Sequence, residues 1–177
     1  MGAHHSVTLS AIAAVLLACG RGSPAPRTDQ ELADATAFVR AFYGWYLPAA
    51  GTGDGLKRAV TDSAALFAPD LVRALEADGE AQAKNPNEVA GLDGDPFLDA
   101  QDFCERYDVG TARRDGNDIL VDVYARCSGD TTSAPRIAAR VRRSGQGWSF
   151  VNFQYPQRGS DLLKDLEELR RQRDSTP

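Results

Sequence analysis

Apolar residues in the first half of the chain recur at the spacing of an α-helix. Thr28 followed by Glu31 forms a capping-box pattern, which predicts the start of a helix, and Leu47-Pro48 predicts its end. The apolar face of this helix consists of Ala35, Phe38, Val39, Phe42, Trp45 and Tyr46. A glycine-rich loop, Ala49–Gly55, follows the helix.

Two shorter helices are predicted after that loop. Leu56–Phe67 carries apolar residues at helical spacing, and Pro69 suits the first turn of another helix because proline is tolerated there. The apolar residues of the second of these helices are Leu71, Val72 and Leu75. The composition of Asn85–Asp95 predicts a loop.

The second half of the chain changes to the alternating pattern of β-strands. Asp115-Gly116 predicts a two-residue hairpin turn, and Trp148–Tyr155 predicts a strand with aromatic residues on both faces. Three other strands are marked by alternation of Tyr107, Val109 and Thr111, of Ile119, Val121, Val123 and Ala125, and of Ile137, Ala139 and Val141. Ser160 is predicted to cap a last helix, whose buried side consists of Leu162, Leu163, Leu166 and Leu169.

This order of elements predicts an α+β fold. N-terminal helices should pack on a curved antiparallel sheet of about four strands, and a C-terminal helix should follow. Residues 28–173 are long enough to form one domain with its own core, which leaves 174–177 as a tail.

An apolar run of about eleven residues, Val7–Leu17, precedes the domain. It is too short to span a bilayer and suits the core of a signal peptide. Because Leu16-Leu17-Ala18-Cys19 stands at its end, 1–18 is predicted to be a lipoprotein signal, Cys19 the lipidated residue and 19–27 a flexible tether. The expected location is the bacterial cell envelope, on a membrane and facing the periplasm or the cell surface. An ordinary secretory signal is the alternative.

Charge and histidine content narrow the chemistry. The chain has 25 acidic and 20 basic residues, mixed along its length, so nucleic acid is not an expected partner. His4 and His5 are its two histidines, and both lie in the predicted signal. The mature protein would then hold no imidazole for a Ser-His or Cys-His pair or for zinc, and no metal or other cofactor is expected.

The aspartates around residues 93–102 do not match a calcium loop. Phe97 stands where such a loop needs an oxygen ligand. Asp95 is instead predicted to form the turn before Pro96, and Asp102 or Gln101 to bond to nearby backbone.

Cys104 and Cys127 form an even pair once Cys19 is assigned to lipid, and a disulfide is expected in an oxidising compartment. A turn at Asp115-Gly116 would place these two cysteines opposite each other. The same register would pair Glu105 with Arg126 and Tyr107 with Tyr124. It would also put the cysteines at a hydrogen-bonded position, where side chains lie farther apart, unless a bulge shifts the register.

Several short motifs carry a resemblance to a known family. They are Phe42-Tyr43-Gly44-Trp45-Tyr46, Asp95-Pro96-Phe97, Gln101-Asp102, Gly147-Trp148-Ser149-Phe150 and Asp161-Leu162-Leu163. From about Leu32 to Leu169 the chain resembles bacterial exported proteins and lipoproteins of the domain of unknown function numbered 3828. That resemblance implies the cone-shaped fold of the nuclear transport factor 2 superfamily, also called cystatin-like. The family has no assigned activity that the resemblance could imply for this chain. The superfamily includes isomerases and dehydratases as well as non-catalytic binding domains.

A cone-shaped fold would hold a pocket between the helices and the concave face of the sheet. The candidate lining residues are Tyr43, Trp45, Tyr46, Phe97, Asp102, Trp148 and Phe150. Alternatively, these aromatic residues fill the core. The sequence thus predicts a non-catalytic binding or interaction module for a small ligand or an envelope protein of unknown identity.

Two other functions remain open. One is a small acid–base enzyme, with Asp102 or Asp122 beside Tyr43, Tyr107 or Tyr124, although Asp122 is predicted to face solvent. The other is an inhibitor or immunity-type partner of a secreted enzyme. Arginines of equal strand parity form a possible site for an anionic partner or simply a solvated face; these are Arg126, Arg136, Arg140 and Arg142.

Overall fold

The computed structural model describes Met1 and residues 27–84, 91–129 and 133–175. Residues 2–26, which include Cys19 and nearly all of the predicted signal and tether, therefore lie outside the described residues, whereas Arg27, predicted as the last residue of the tether, is helical. Helices come first: α1 (Arg27–Ala50), α2 (Gly55–Thr61), a short 3-10 turn (Ala64–Leu66) and α3 (Pro69–Lys84). Strands β1 (Arg106–Asp115), β2 (Asp118–Arg126), β3 (Ile137–Ser144), β4 (Gly147–Tyr155) and β5 (Ser160–Asp161) follow, and α4 (Leu162–Ser175) is the last element.

The five strands form one antiparallel sheet in the order β1-β2-β3-β4-β5. Helices followed by an antiparallel sheet and a C-terminal helix confirm the predicted α+β class. The fifth strand is absent from the prediction because two residues are too few to show alternation. No helix in the described part of the chain is both long and apolar enough to cross a membrane.

The first helix extends farther than the sequence predicts. Thr28 lies inside α1 rather than before it, and Pro48 lies in its last turn. The predicted end at Leu47-Pro48 is therefore wrong. Ala49 and Ala50 are buried, and a Cβ on Gly55 would lie 2.6 Å from the Ala50 Cα. Burial against the start of α2 compensates for the hydrogen bond that proline cannot donate.

The segment predicted as one helix over Leu56–Phe67 is divided. It contains α2 and the 3-10 turn, after which Phe67 pairs with Phe150 of β4. The Ala68 amide donates to the Phe150 carbonyl at 2.7 Å. Docking onto the sheet thus outweighs the helical pattern, whereas Pro69 does begin α3 as predicted.

The hairpin of β1 and β2 has a different register from the predicted one. Asp115 pairs with Asp118, so Gly116 and Asn117 form the turn, and a bulge between Val109 and Ala112 shifts the pairing again. Beyond the bulge Arg106 faces Arg126 and Tyr107 faces Ala125, so the predicted pairs Glu105–Arg126 and Tyr107–Tyr124 are wrong. Gly110 lies in the bulge, and a Cβ there would lie 2.5 Å from the Tyr124 ring.

The cysteine pair agrees with the prediction. Cys104 and Cys127 lie at disulfide distance at the open end of this hairpin, with their Cα atoms 4.4 Å apart. The two cysteines lie just beyond the last pair of the ladder, Arg106 with Arg126.

The helix α4 begins with a different cap from the predicted one. Ser160 belongs to β5, and the Asp161 carboxylate accepts a hydrogen bond from the Lys164 amide at 3.0 Å. The Asn152 side chain on β4 accepts another from the Leu163 amide at 3.1 Å. Asp161 therefore acts as the N-cap, which joins the start of α4 to the sheet.

The core lies between the inner face of the sheet and the helices. Aromatic rings dominate it, with contacting centroids 4.8 to 6.5 Å apart among Phe42, Phe67, Phe97, Phe150 and Phe153. Phe97 belongs to the loop before β1 and not to a helix or strand, yet its side chain is fully buried. That loop is the element on which the candidate site depends.

The outer face of the sheet carries matched charges. Arg126 pairs with Asp108 at 3.0 Å, and Arg140 and Arg142 both contact Asp118, at 3.1 and 2.6 Å. The hydrogen bond from Arg142 is the main cause that holds the pKa of Asp118 below its usual value. The predicted arginine stripe is therefore a ladder of ion pairs on these strands.

Two further residues of that face differ from their predictions. Asp122 was predicted to face solvent, but its side chain is 12% exposed and contacts the Arg113 guanidinium at 2.5 Å. The long arginine covers the carboxylate, which strand parity cannot indicate. Arg136 precedes β3 and donates to the Asp99 carbonyl at 3.3 Å, away from the ladder.

Candidate functional site

The segment Asp95–Asp99, here called the anchored loop, is held by side chains from four parts of the chain. Four consecutive backbone carbonyls each accept a hydrogen bond from a different donor. Tyr155 donates to Pro96 (3.0 Å), Tyr43 to Phe97 (2.8 Å), Tyr107 to Leu98 (3.4 Å) and Arg136 to Asp99 (3.3 Å). The donors come from β4, α1, β1 and the residue before β3. These bonds satisfy buried carbonyls that no strand or helix would pair.

Asp95 begins the anchored loop and organises its turn. One carboxylate oxygen, Oδ1, accepts from the amides of Phe97 (2.9 Å) and Leu98 (3.1 Å), and Oδ2 accepts from the Tyr46 hydroxyl at 2.5 Å. The Asp95 amide donates to the Ala100 carbonyl at 2.8 Å, which closes the loop. The turn role predicted for Asp95 is confirmed. The Gln101 side chain also bonds to backbone, at the Asp93 carbonyl.

Burial raises the pKa of Asp95 above its ordinary value, although the hydrogen bonds from Tyr46, Phe97 and Leu98 oppose the shift. Burial also raises the pKa of Tyr46, and the charge of Asp95 adds to that effect. The phenol therefore stays protonated and acts as the donor.

The seven candidate pocket residues do not come together around one cavity. Tyr43, Tyr46, Phe97 and Phe150 are buried in the core, where the Phe97 ring lies 5.2 Å from that of Tyr46. Trp45 and Trp148 are half-buried at other places, each beneath an arginine, and Asp102 is exposed. This packing agrees with the alternative interpretation, in which the aromatic residues fill the core.

The predicted acid–base pairs are not formed either. Asp122 contacts Arg113, while Tyr43 and Tyr107 stack on each other at 6.2 Å and donate to the anchored loop. Asp95 is the carboxylate that accepts a hydrogen bond from a tyrosine, the hydroxyl of Tyr46. The turn signal at Asp95-Pro96 indicates a loop, but nothing in the sequence pairs it with a helix residue 49 positions earlier.

A cleft of about 560 Å³ lies between the anchored loop and α4. At its centre the Arg158 guanidinium contacts Asp99 and Asp165, each at 3.0 Å, and stacks over the Tyr155 ring at 4.3 Å. The remaining lining residues are Gly91, Leu92, Asp93, Gly94, Asp95, Pro96, Ala100, Gln101, Glu168 and Leu169. This lining contains five carboxylates and one guanidinium, so the cleft is acidic.

Asp99 connects the anchored loop with the cleft. Its backbone is left-handed, with φ of 49°, a conformation that a non-glycine residue rarely adopts. Burial raises the pKa of its carboxyl, and the positive charge of Arg158 opposes that shift. Arg136 donates a hydrogen bond to the Asp99 carbonyl, and Arg158 donates one to its carboxylate. These two bonds hold the strained backbone in place.

A buried ion pair joins α3 to α4 beside the cleft. Asp78 of α3 contacts Arg173 of α4 at 2.7 Å, and its second oxygen accepts from the Leu92 amide at 2.9 Å. The Gly91 amide donates to Gln82 at 2.9 Å. The chain entering the cleft is thus bonded to α3, and Asp78 in turn links α3 to α4.

Sequence reasoning missed the residues that form this cleft. Arg158, Asp165 and Glu168 carry no motif, and Tyr155 is predicted only as a strand aromatic. Their grouping depends on how β4, the turn after it and α4 meet the anchored loop. Within the described ranges, no cluster of His, Cys, Asp and Glu side chains has an arrangement that could hold a metal ion.

Fold and site together define an α+β domain with a filled aromatic core and an acidic surface cleft. Comparison of the chain with protein-family models, with curated proteins and with solved structures gave no match. The resemblance to the exported family remains a prediction.

The raised pKa of Asp95 predicts how stability changes with pH. Because its folded-state pKa lies above that of the unfolded chain, the folded protein takes up this proton first as the pH falls. The Asp95 contribution to the free energy of unfolding should therefore increase on acidification from the raised pKa towards the ordinary value of about 4. Urea unfolding across this range, for wild type and Asp95→Asn, measures the contribution as a difference. A difference that is constant, or that favours wild type at higher pH, would contradict the assignment.

Proposed function

We propose that this protein is a lipid-anchored, non-catalytic binding module of the bacterial cell envelope and that the acidic cleft is its binding site. The observation that carries the proposal is the anchored loop. Its four bonded carbonyls and the bonded Asp95 carboxylate hold Asp99 in one position before any ligand arrives. A preorganised rim loses little conformational freedom on binding, which is how binding sites gain affinity.

The envelope location is supported by two features of the chain. The apolar run Val7–Leu17 ends at the lipoprotein-type box before Cys19. Cys104 and Cys127 lie at disulfide distance, as expected for a protein that folds in an oxidising compartment.

The charge of the cleft supports a positively charged group as the ligand. Its own Arg158 already lies between two carboxylates and against the face of Tyr155, the arrangement that favours a guanidinium. Asp93 and Glu168 line the same cleft, and the pair of Glu168 with Arg171 at 3.1 Å is exposed enough for a ligand cation to replace it. A lysine or arginine side chain of an envelope protein fits this chemistry.

Membrane anchoring is tested by the Cys19→Ala substitution in the full chain, expressed in a bacterium. We expect wild type to enter the detergent phase of a two-phase extraction and the alanine variant to leave it, because acyl chains supply the membrane affinity. Cys104→Ala, which leaves Cys19 intact, is the matched control and should stay with the detergent. Equal partitioning of wild type and Cys19→Ala would refute the lipid anchor.

Binding at the cleft is tested with N-acetylarginine amide as the probe. Its citrulline analogue has almost the same shape without the charge. In NMR titrations of the full chain in nonionic detergent, the arginine probe should shift amide signals of residues 91–101 and 158–169, and the citrulline probe should not. Glu168→Gln should weaken the response, whereas Glu80→Gln, an exposed carboxylate on α3, should not. Equal responses to both probes, or none, would contradict the proposal.

The acid–base enzyme remains a second candidate function because of one observation. Asp95 is a partly buried carboxyl with a raised pKa, lies on the cleft and receives the Tyr46 hydroxyl at 2.5 Å. Against this role, both carboxylate oxygens already accept hydrogen bonds, Oδ1 from the Phe97 and Leu98 amides and Oδ2 from the Tyr46 hydroxyl. Proton exchange at the α-carbon of simple ketones, catalysed by wild type and abolished in Asp95→Asn, would favour the enzyme over the binding module.

A further inference from the structure

A second concave surface is lined by other residues than the acidic cleft, and its chemistry is different. This surface, here called the basic groove, runs between the start of α3 and the β3–β4 hairpin and has a volume of about 590 Å³. It shares no lining residue with the acidic cleft. Its lining residues are Ala64, Ala65, Phe67, Ala68, Pro69, Val72, Arg73, Arg142, Arg143, Ser144, Ser149 and Val151.

The polar part of the basic groove is entirely cationic or neutral. Arg73, Arg142 and Arg143 line it together with two serine hydroxyls, and no carboxylate belongs to the lining. The first turn of α3 also borders the groove, and there the positive end of the dipole of this 16-residue helix is offset by Asp70, so the arginines are the groups that favour an anion. An anion is the ligand charge that this set of groups favours.

The aspartates near these arginines lie outside the groove and leave donors for a ligand. Arg73 pairs with Asp70, but both side chains are largely exposed, at 68% and 83%. Arg143 lies 3.9 Å from Asp34, also at the surface. Exposed pairs of this kind contribute little to stability and exchange readily for a better-placed anion. Arg142 contacts Asp118 through Nε and one terminal nitrogen, and within the described residues its other terminal nitrogen has no hydrogen-bond partner.

The rest of the basic groove is apolar. Phe67, Val72 and Val151 line it with three alanines, so a purely hydrophilic anion would leave much of the surface without a partner. The volume falls in the range of small-molecule sites, about 300–1,000 Å³. We propose that the basic groove binds an amphipathic anion, an acyl or alkyl chain with a carboxylate or phosphate head, with the head at the arginines and the chain along the apolar wall.

Calorimetric titration of the full chain in nonionic detergent tests the proposal. The probes are octanoate and octyl phosphate, with octanol lacking the charge and inorganic phosphate lacking the chain. At least one charged amphiphile should bind at least about tenfold more tightly than either control, because octanol cannot form the charge-assisted hydrogen bonds and inorganic phosphate cannot cover the apolar wall. A preference for octyl phosphate would indicate a phospholipid headgroup as the natural source, and a preference for octanoate a free fatty acid.

Variants locate the binding. Arg142→Gln and Arg73→Gln should each weaken binding of the charged amphiphile about tenfold. Arg58→Gln should leave it unchanged, because that exposed arginine of α2 does not line the groove. Unchanged affinity in both groove variants would overturn the proposal, as would octanol binding as tightly as the anions or no binding of either anion. Circular dichroism checks that each variant is folded.

Discussion

Replacement of Phe97 by alanine is expected to lower the free energy of unfolding by about 4 kcal/mol. The side chain is fully buried, and its ring lies 4.8 to 5.6 Å from those of Phe42, Tyr46, Phe67 and Phe153. Phe→Ala changes in cores cost about 3–5 kcal/mol because a cavity remains where the ring was. The hydrogen bonds to the carbonyls of the anchored loop keep its backbone in place, so the loop has little freedom to move inward and close that cavity. Urea unfolding of the full chain measures the change.

The matched control is Phe103→Ala, six residues farther along the same connection. Phe103 is 46% exposed, and an exposed substitution should change the free energy of unfolding by no more than about 0.5 kcal/mol. Phe97→Leu, which keeps much of the apolar volume, should fall between the two. Suppose that Phe97→Ala lowers the free energy of unfolding by less than about 2 kcal/mol more than the control does. The anchored loop would then be able to move inward and fill the cavity, and Phe97 would not determine its position.

Asp78→Ala is expected to destabilise the protein by about 3 kcal/mol. The substitution leaves the Arg173 guanidinium without this carboxylate in a largely buried place and removes the acceptor of the Leu92 amide. Breaking one side of a buried ion pair typically costs about 3–5 kcal/mol, and the partial exposure of Arg173, at 22%, places the expectation at the lower end. The measurement is again urea unfolding.

A double-mutant cycle separates the energy of the ion pair from the other effects of each substitution, such as loss of the Leu92 bond. Asp78→Ala combined with Arg173→Ala should cost less than the sum of the single changes, by about 1–3 kcal/mol, because the two groups contact each other. Asp70→Ala serves as the surface control, since its pair with Arg73 is exposed and worth about 0–1 kcal/mol. Additive effects of Asp78 and Arg173 would show that the contact between them does not stabilise the fold.

The sequence predicts the periodic parts of this molecule well. Alternation of Ile137, Ala139 and Val141 marks β3, and all three side chains are buried on its inner face. Proline at position 69 marks the start of α3 correctly. Such signals succeed because burial of one face repeats with the period of the element itself.

Other features could not be predicted because they depend on contacts between distant segments. The bulge around Gly110 exists where the Tyr124 ring leaves no room for a Cβ, and it changes every pairing beyond it. The aspartate partners of the sheet arginines also come from neighbouring strands whose register must be known first. For the site, the turn at Asp95 was predictable, whereas the tyrosines and arginines that fasten it were not.

The anchored loop also bears on the order in which the chain can fold. The hydrogen bonds of Tyr43 and Tyr46 are to residues 54 and 49 positions farther along the chain. The Pro96 carbonyl accepts its bond from Tyr155, another 59 positions on. Contacts of such separation form slowly, because a long segment must close before they give any stability. The aromatic side of α1 therefore stays uncovered until almost the whole domain has been synthesised. We expect this protein to fold as a single late event and not progressively from its N-terminus.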